Sequence, residues 1–95
     1  MAGVYEWDEE KAAENLEKHG VAFSEAIQVF DDHSSVEEYD IDHSTPDESR
    51  FWRIGFSGLR LLYVVFTVRE EKVRIIHARK ASRLMEQIYA ENKIE

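Results

Sequence analysis

The residues best suited to chemistry cluster where the last apolar run of the chain stops. VRIIHARKAS (73–82) opens as a buried strand over Val73–Ile76, then sets down His77, Arg79 and Lys80 before Ser82, a helix-capping residue. Arginine offers a planar fork matched to phosphate oxygens, lysine a compact point charge, and histidine a group that exchanges a proton near neutrality. A fourth cation, Arg53, arrives from another strand. FWRIGFS (51–57), LRLLYVVFTV (59–68) and VRIIHAR (73–79) read as three strands joined by tight turns at Ser57-Gly58 and Glu70-Glu71, hence as antiparallel neighbours. Two-residue loops set Arg53 opposite Leu62 and Leu62 opposite Arg79. A first turn at Gly58-Leu59 keeps the same parity. Arg53, Leu62, His77 and Arg79 are therefore expected on one face, with Phe51, Val64, Phe66, Val73 and Ile75 toward its other end. Trp52, Ile54, Phe56, Leu61, Tyr63, Val65 and Ile76 fall on the opposite face. Arg53 and Arg79 would lie two strands apart, about 10 Å between backbones, within reach of one phosphate. The same arginines would serve equally well as salt-bridge partners for the acidic part of the chain.

Other chemistry is thinner. His77 is the candidate general acid or base by residue type, and His19 is read as a cation at a helix C-terminus. Asp31-Asp32-His33 and Asp40-Ile41-Asp42-His43 hold metal-ligand types, but at a spacing that matches no ligand set. No metal site and no cofactor are expected. The sequence contains no nucleophile elbow and no glycine-rich phosphate loop.

The elements that position these residues follow from pattern. Val4–Trp7 alternates weakly as a short strand. Asp8 caps a helix over EEKAAENLEKH that ends at Gly20, and Ser24 is read as the cap of a short second helix. Residues 31–50 form a polar loop with a short edge strand at Val36–Tyr39. A last helix, roughly Ser82–Asn92, pairs Leu84 with Ile88 and Met85 with Tyr89 at four-residue spacing. The class is α+β: a small antiparallel sheet with two N-terminal helices and one C-terminal helix, one domain over residues 1–95. With 43% hydrophobic residues and 12% aromatic, the chain can build a core.

The net charge of −8 is unevenly spread. Residues 1–49 carry 15 acids and 2 lysines; residues 50–95 carry 10 bases, seven of them arginine, and 5 acids. A global negative field disfavours general nucleic-acid binding but leaves room for a local anion site. The chain has no cysteine, no basic-then-apolar start of a secretory signal, and no apolar run long enough for a membrane span, which suits a reducing cytoplasm.

YEWDEEKAAENLEKHGVAFSEA, then VFDD, then ESRFWRIGFSGLRLLYVVFTVREEKVRIIHARKAS and MEQIY, resemble the BrnT-type toxins over nearly the whole chain and in the family's order. WDEEKAAENLEKHGV, RFWRIGFS and RIIHARKAS are the most specific pieces. The resemblance implies a RelE-like fold, ribonuclease activity on an RNA substrate, and arrest of translation and growth. It implies a cognate ribbon-helix-helix antitoxin, two toxins on an antitoxin dimer, and operator DNA reached only through that antitoxin. By the same resemblance Arg53 and Arg79 align with arginines linked to toxicity, with Trp52 beside the first. Relatives commonly read ISAR where this chain reads IHAR, so His77 replaces a serine. Cleavage would use the RNA 2′-hydroxyl without metal: Arg53 and Arg79 take phosphate charge, His77 or Lys80 moves protons, and Trp52 stacks on a base if exposed. The alternative from another class is a non-catalytic interaction domain for a basic partner, its arginines tied into internal salt bridges.

Overall fold

The computed structural model describes residues 4–92. In chain order the elements are β1 (Tyr5–Glu6), α1 (Glu9–His19), α2 (Phe23–Ala26) running into a 3-10 segment (Ile27–Asp31), β2 (Val36–Tyr39), β3 (Arg50–Phe56), β4 (Leu61–Arg69), β5 (Lys72–Lys80) and α3 (Arg83–Glu91). The sheet order is β1-β5-β4-β3-β2. The expected three-strand antiparallel sheet is thus a five-strand mixed one, because β1 joins β5 in parallel, Tyr5 beside Val73.

Local chemistry fixes the helix ends. The Asp8 carboxylate accepts from the backbone N–H of Glu10 and Lys11 at 2.9 and 3.0 Å, and Gly20 closes α1 in the left-handed region at φ 70°. The Ser82 hydroxyl accepts from Met85 N–H at 3.2 Å. Ser24 is not a cap: α2 begins at Phe23, two residues earlier than a Ser24 cap would set it, with Ala22 in the cap position. The two hairpins close as tight turns. Ser57 N–H donates to Arg60 C=O, so the first turn is Gly58-Leu59 with Gly58 at φ 96°. The second uses Glu70 and Glu71, both at positive φ (54° and 67°), the mirror-image turn that matches strand twist.

One irregularity decides where side chains go. Arg69 pairs with Lys72 and Phe66 with Ile75, as a two-residue turn dictates. Val65, however, pairs with His77, Val64 with Ala78 and Tyr63 with Arg79. Ile76 is an extra residue, a β-bulge, and every β5 residue beyond it has changed face.

The core lies on one face. Leu62, Val64, Phe66, Ile75 and Ala78 pack there against Val21, Phe23, Ala26 and Val29. Gly55 lies on the same face, and a Cβ there would sit 2.9 Å from Val29 Cβ and 3.0 Å from Ser35 Cβ. Glu25 ties the first hairpin down: it accepts from Arg60 at 2.8 and 3.0 Å and from the Ser57 hydroxyl at 2.9 Å. No helix among the described residues is long and apolar enough to cross a membrane.

Candidate functional site

The bulge separates the two arginines. Arg53 pairs with Val64, and Val64 with Ala78, so Arg53 stays on the core face. Tyr63 pairs with Ile54 and Arg79, and Val65 with Trp52 and His77, so Arg79 and His77 join Trp52 on the opposite face. The expected common face for Arg53, His77 and Arg79 is overturned. The physical reason is that strict alternation would drive His77 and Arg79 into the core beside Ile75. The extra Ile76 lets Ala78, fully buried, go in instead.

Arg53 is engaged where it lies. Its guanidinium donates to Glu37 Oε1 (Nη2 at 3.0 Å, Nε at 3.2 Å) and to the Ser35 hydroxyl, and sits 4.8 Å over the Phe30 ring. Arg53 thus has a carboxylate, a hydroxyl and a ring as partners. Arg79 is different: no carboxylate among the described residues pairs with it, and its guanidinium lies 4.8 Å over the Tyr63 ring.

Around Arg79 the second face forms a half-buried polar-aromatic surface. Trp52 lies 6.2 Å from Tyr63 at 33° between ring planes. His77 meets Tyr63 edge-on at 6.3 Å and His19, from the end of α1, at 4.8 Å. Trp52 is half-buried. Lys80 is exposed at the end of β5, beside Leu62 in register and on the Arg53 side, apart from this group.

Burial pushes the His77 pKa down to about 4, helped by the nearby His19, Arg79, His43 and Lys18. His77 is therefore neutral at pH 7, an acceptor at one ring nitrogen. Burial raises the Tyr63 phenol, with Asp40 and Asp42 adding to it and Arg79 opposing, so Tyr63 keeps its proton.

Two positioning residues escaped the sequence. Asn15 on α1 reaches the edge of β5, where its side chain donates to Ala78 C=O at 2.8 Å and accepts from Ala78 N–H at 3.2 Å. It also donates to Val21 C=O at 2.9 Å. The amide thus completes the ladder beside β5 and holds the residue between His77 and Arg79. Nothing in the sequence signals this contact across 63 positions. Tyr63 could have been found, since alternation alone puts it on the Trp52 face.

The acidic loop is internally satisfied. Asp40 accepts from His43 Nδ1 at 2.7 Å, and Asp32 accepts from Ser34 N–H, Phe56 N–H and the Tyr89 hydroxyl. No group of three or more His, Cys, Asp or Glu among the described residues is arranged to hold a metal ion.

A comparison with curated proteins finds no match. The family model described as the ribonuclease toxin BrnT of a type II toxin–antitoxin system matches residues 7–84, a span that includes Trp52, Tyr63, His77, Arg79 and the Asn15 clasp that holds them. The chain belongs to the BrnT family of ribonuclease toxins.

Proposed function

We propose that the chain is a metal-independent endoribonuclease toxin, a single RelE-like domain that acts in the cytoplasm and inhibits translation, and that its working surface is the face bearing Arg79, His77, Trp52 and Tyr63. The observation that carries this reading is an arginine with no carboxylate partner among the described residues beside a neutral histidine on one sheet face. In the reaction the RNA 2′-oxygen attacks phosphorus, the P–O5′ bond breaks, and a 2′,3′-cyclic phosphate and a 5′-hydroxyl result. Neutral His77 takes the 2′-hydroxyl proton. A phosphate bound beside it offsets the surrounding cations and raises its affinity for that proton. Arg79 bears the charge that builds on the phosphorane oxygens. Tyr63, still protonated, is the donor to O5′, and Trp52 offers a ring for a flanking base. Lys80 supplies a distal cation for RNA leaving the strand end.

Arg53 acts on this reading through the fold: it fixes the Ser35–Glu37 corner against β3. The type II family implies a cognate antitoxin. We take it to be a ribbon-helix-helix protein whose dimer carries two toxins and represses the shared operon. Basic segments of that partner would suit the acidic first half of the chain. The rival reading, a non-catalytic domain binding a basic partner, draws on the Arg53–Glu37 pair alone.

Induced expression in a bacterial host tests the proposal. Growth should stop with the wild type, resume when the antitoxin is co-expressed, and continue with Arg79→Ala at equal soluble level. A soluble, stable Arg79→Ala that still stops growth would overturn the assignment.

A further inference from the structure

The face that carries Arg79 has a second cationic end that the mechanism above leaves unused. Arg50, Thr67 and Arg74 stand side by side across β3, β4 and β5, and Arg69 follows Thr67 on the same face. With Lys11 of α1 the three arginines line a cavity of about 350 Å3, whose acids are Asp8 and Glu48. A smaller cavity of about 170 Å3 shares Lys11 and Ile76 with it and ends at His77 and His19. The two are neighbours along α1 and β5, the larger at Arg69 and the smaller, which also holds Glu14, at His77. Four cations against two carboxylates line the larger, within a chain of net charge −8.

Glu48 shows what this end binds. Its carboxylate bridges two guanidiniums, Arg69 at 2.6 Å and Arg50 at 2.9 Å, and they hold it well below the usual carboxylate range. Arg74 is turned to Glu6 at 3.2 Å. Forked donors closed on a tetrahedral or planar anion are what arginine offers a phosphate. Arg69 is 53% exposed, so an incoming anion reaches it without unfolding anything. Arg74 precedes His77 by three residues of one strand, roughly 10 Å.

We infer that Arg69, Arg74 and Arg50 form a second phosphate subsite, where single-stranded RNA lies with one phosphate at Arg79 and a flanking phosphate in place of the Glu48 carboxylate. This deepens the ribonuclease reading and rests on it for its use. The strand must be single because the sheet face beside these cavities carries Trp52, in register between Arg50 and the Arg79 end, and Tyr63 beneath Arg79, rings that stack only on unpaired bases. Glu38, opposite Trp52 on β2, is the acid nearest these rings in register, and it disfavours a phosphate in the middle of the path.

The test is the affinity of the purified protein for a fluorescent 2′-O-methyl oligoribonucleotide, which cannot be cleaved, across a salt series. The Arg69→Ala/Arg74→Ala double variant should bind about tenfold or more weakly, with a salt slope shallower by about 1. Glu48→Gln should bind several-fold more tightly, a gain that damage to the fold cannot produce. Wild-type affinity and slope in the double variant would overturn the subsite, as would equal binding of duplex RNA, preference for an acidic peptide over RNA, or no binding by the wild type. Cleavage of ordinary RNA is read separately. Binding that depends on Arg69 and Arg74 without any cleavage would keep the subsite and remove the catalytic reading.

Discussion

The two faces of the sheet are built from the same three strands, yet they treat Arg53 and Arg79 in opposite ways. On the core face Arg53 is closed in by Glu37, Ser35 and the Phe30 ring, and the strand beneath it is pressed so close to the 3-10 segment that Gly55 has no room for a Cβ. On the other face Arg79 rests on Tyr63 with an open side and no carboxylate among the described residues to neutralise it. The anion of Arg53 comes from the fold itself, whereas Arg79 keeps its charge for a group from outside. What separates them is not composition but the single extra residue, Ile76, that turns the end of β5 over.

The largest test of this contrast is activity. Arg79→Ala should lower RNA cleavage on the order of a hundredfold, the loss expected when one donor to a developing oxyanion is removed, with an unchanged melting curve. Next comes Asn15→Ala. It strands the N–H and C=O of Ala78 at the edge of β5, and chemical denaturation should show a loss of about 3 kcal/mol. Arg53→Ala should cost about 1 kcal/mol in the same measurement while activity per folded molecule stays near wild type. If it instead abolishes cleavage without touching stability, the two arginines work together after all. Replacing Glu70-Glu71 by Asn-Gly should stabilise by about 1 kcal/mol, because both positions need positive φ, and should leave both faces as they are.

A separate test is pH. His77 binds its proton more weakly folded, near pKa 4, than unfolded, near 6.5. Between those values the unfolded chain holds more protons, so stability falls as pH drops from about 6.5 to about 4 and is flat above. His77→Ser should flatten the midpoint of urea unfolding across that window. An unchanged slope would show that the imidazole is no more shielded than in the unfolded chain.

Much of this was readable in advance. Asp8, Gly20 and Ser82 mark their helix ends through side-chain and backbone chemistry that needs no tertiary context. The turns at Gly58 and Glu70-Glu71 set the antiparallel pairs, and the edge strand at Val36–Tyr39 follows from its place beside β3. Alternation also placed Trp52, Ile54, Tyr63 and Val65 together correctly. It failed beyond Ile75 because bulges without glycine carry no local mark. The one available sign was energetic: unbroken alternation sends an imidazole and a guanidinium into the core while Ala78, small and apolar, faces out. The parallel β1 pairing and the Asn15 contact were illegible, since both depend on where distant segments dock. Arg53 was read correctly as to face but grouped with the wrong company.

Asn15 has a consequence for how the molecule lives among copies of itself. Strand β5 stands near the margin of the sheet, where β1 covers only Val73 and Arg74. A bare margin invites the same strand of another chain to add on, which is how sheets grow into aggregates. One amide on α1 plugs that row of donors and acceptors at Ala78. The chain can therefore keep its chemically exposed strand near the border of the sheet without leaving that border open to self-association.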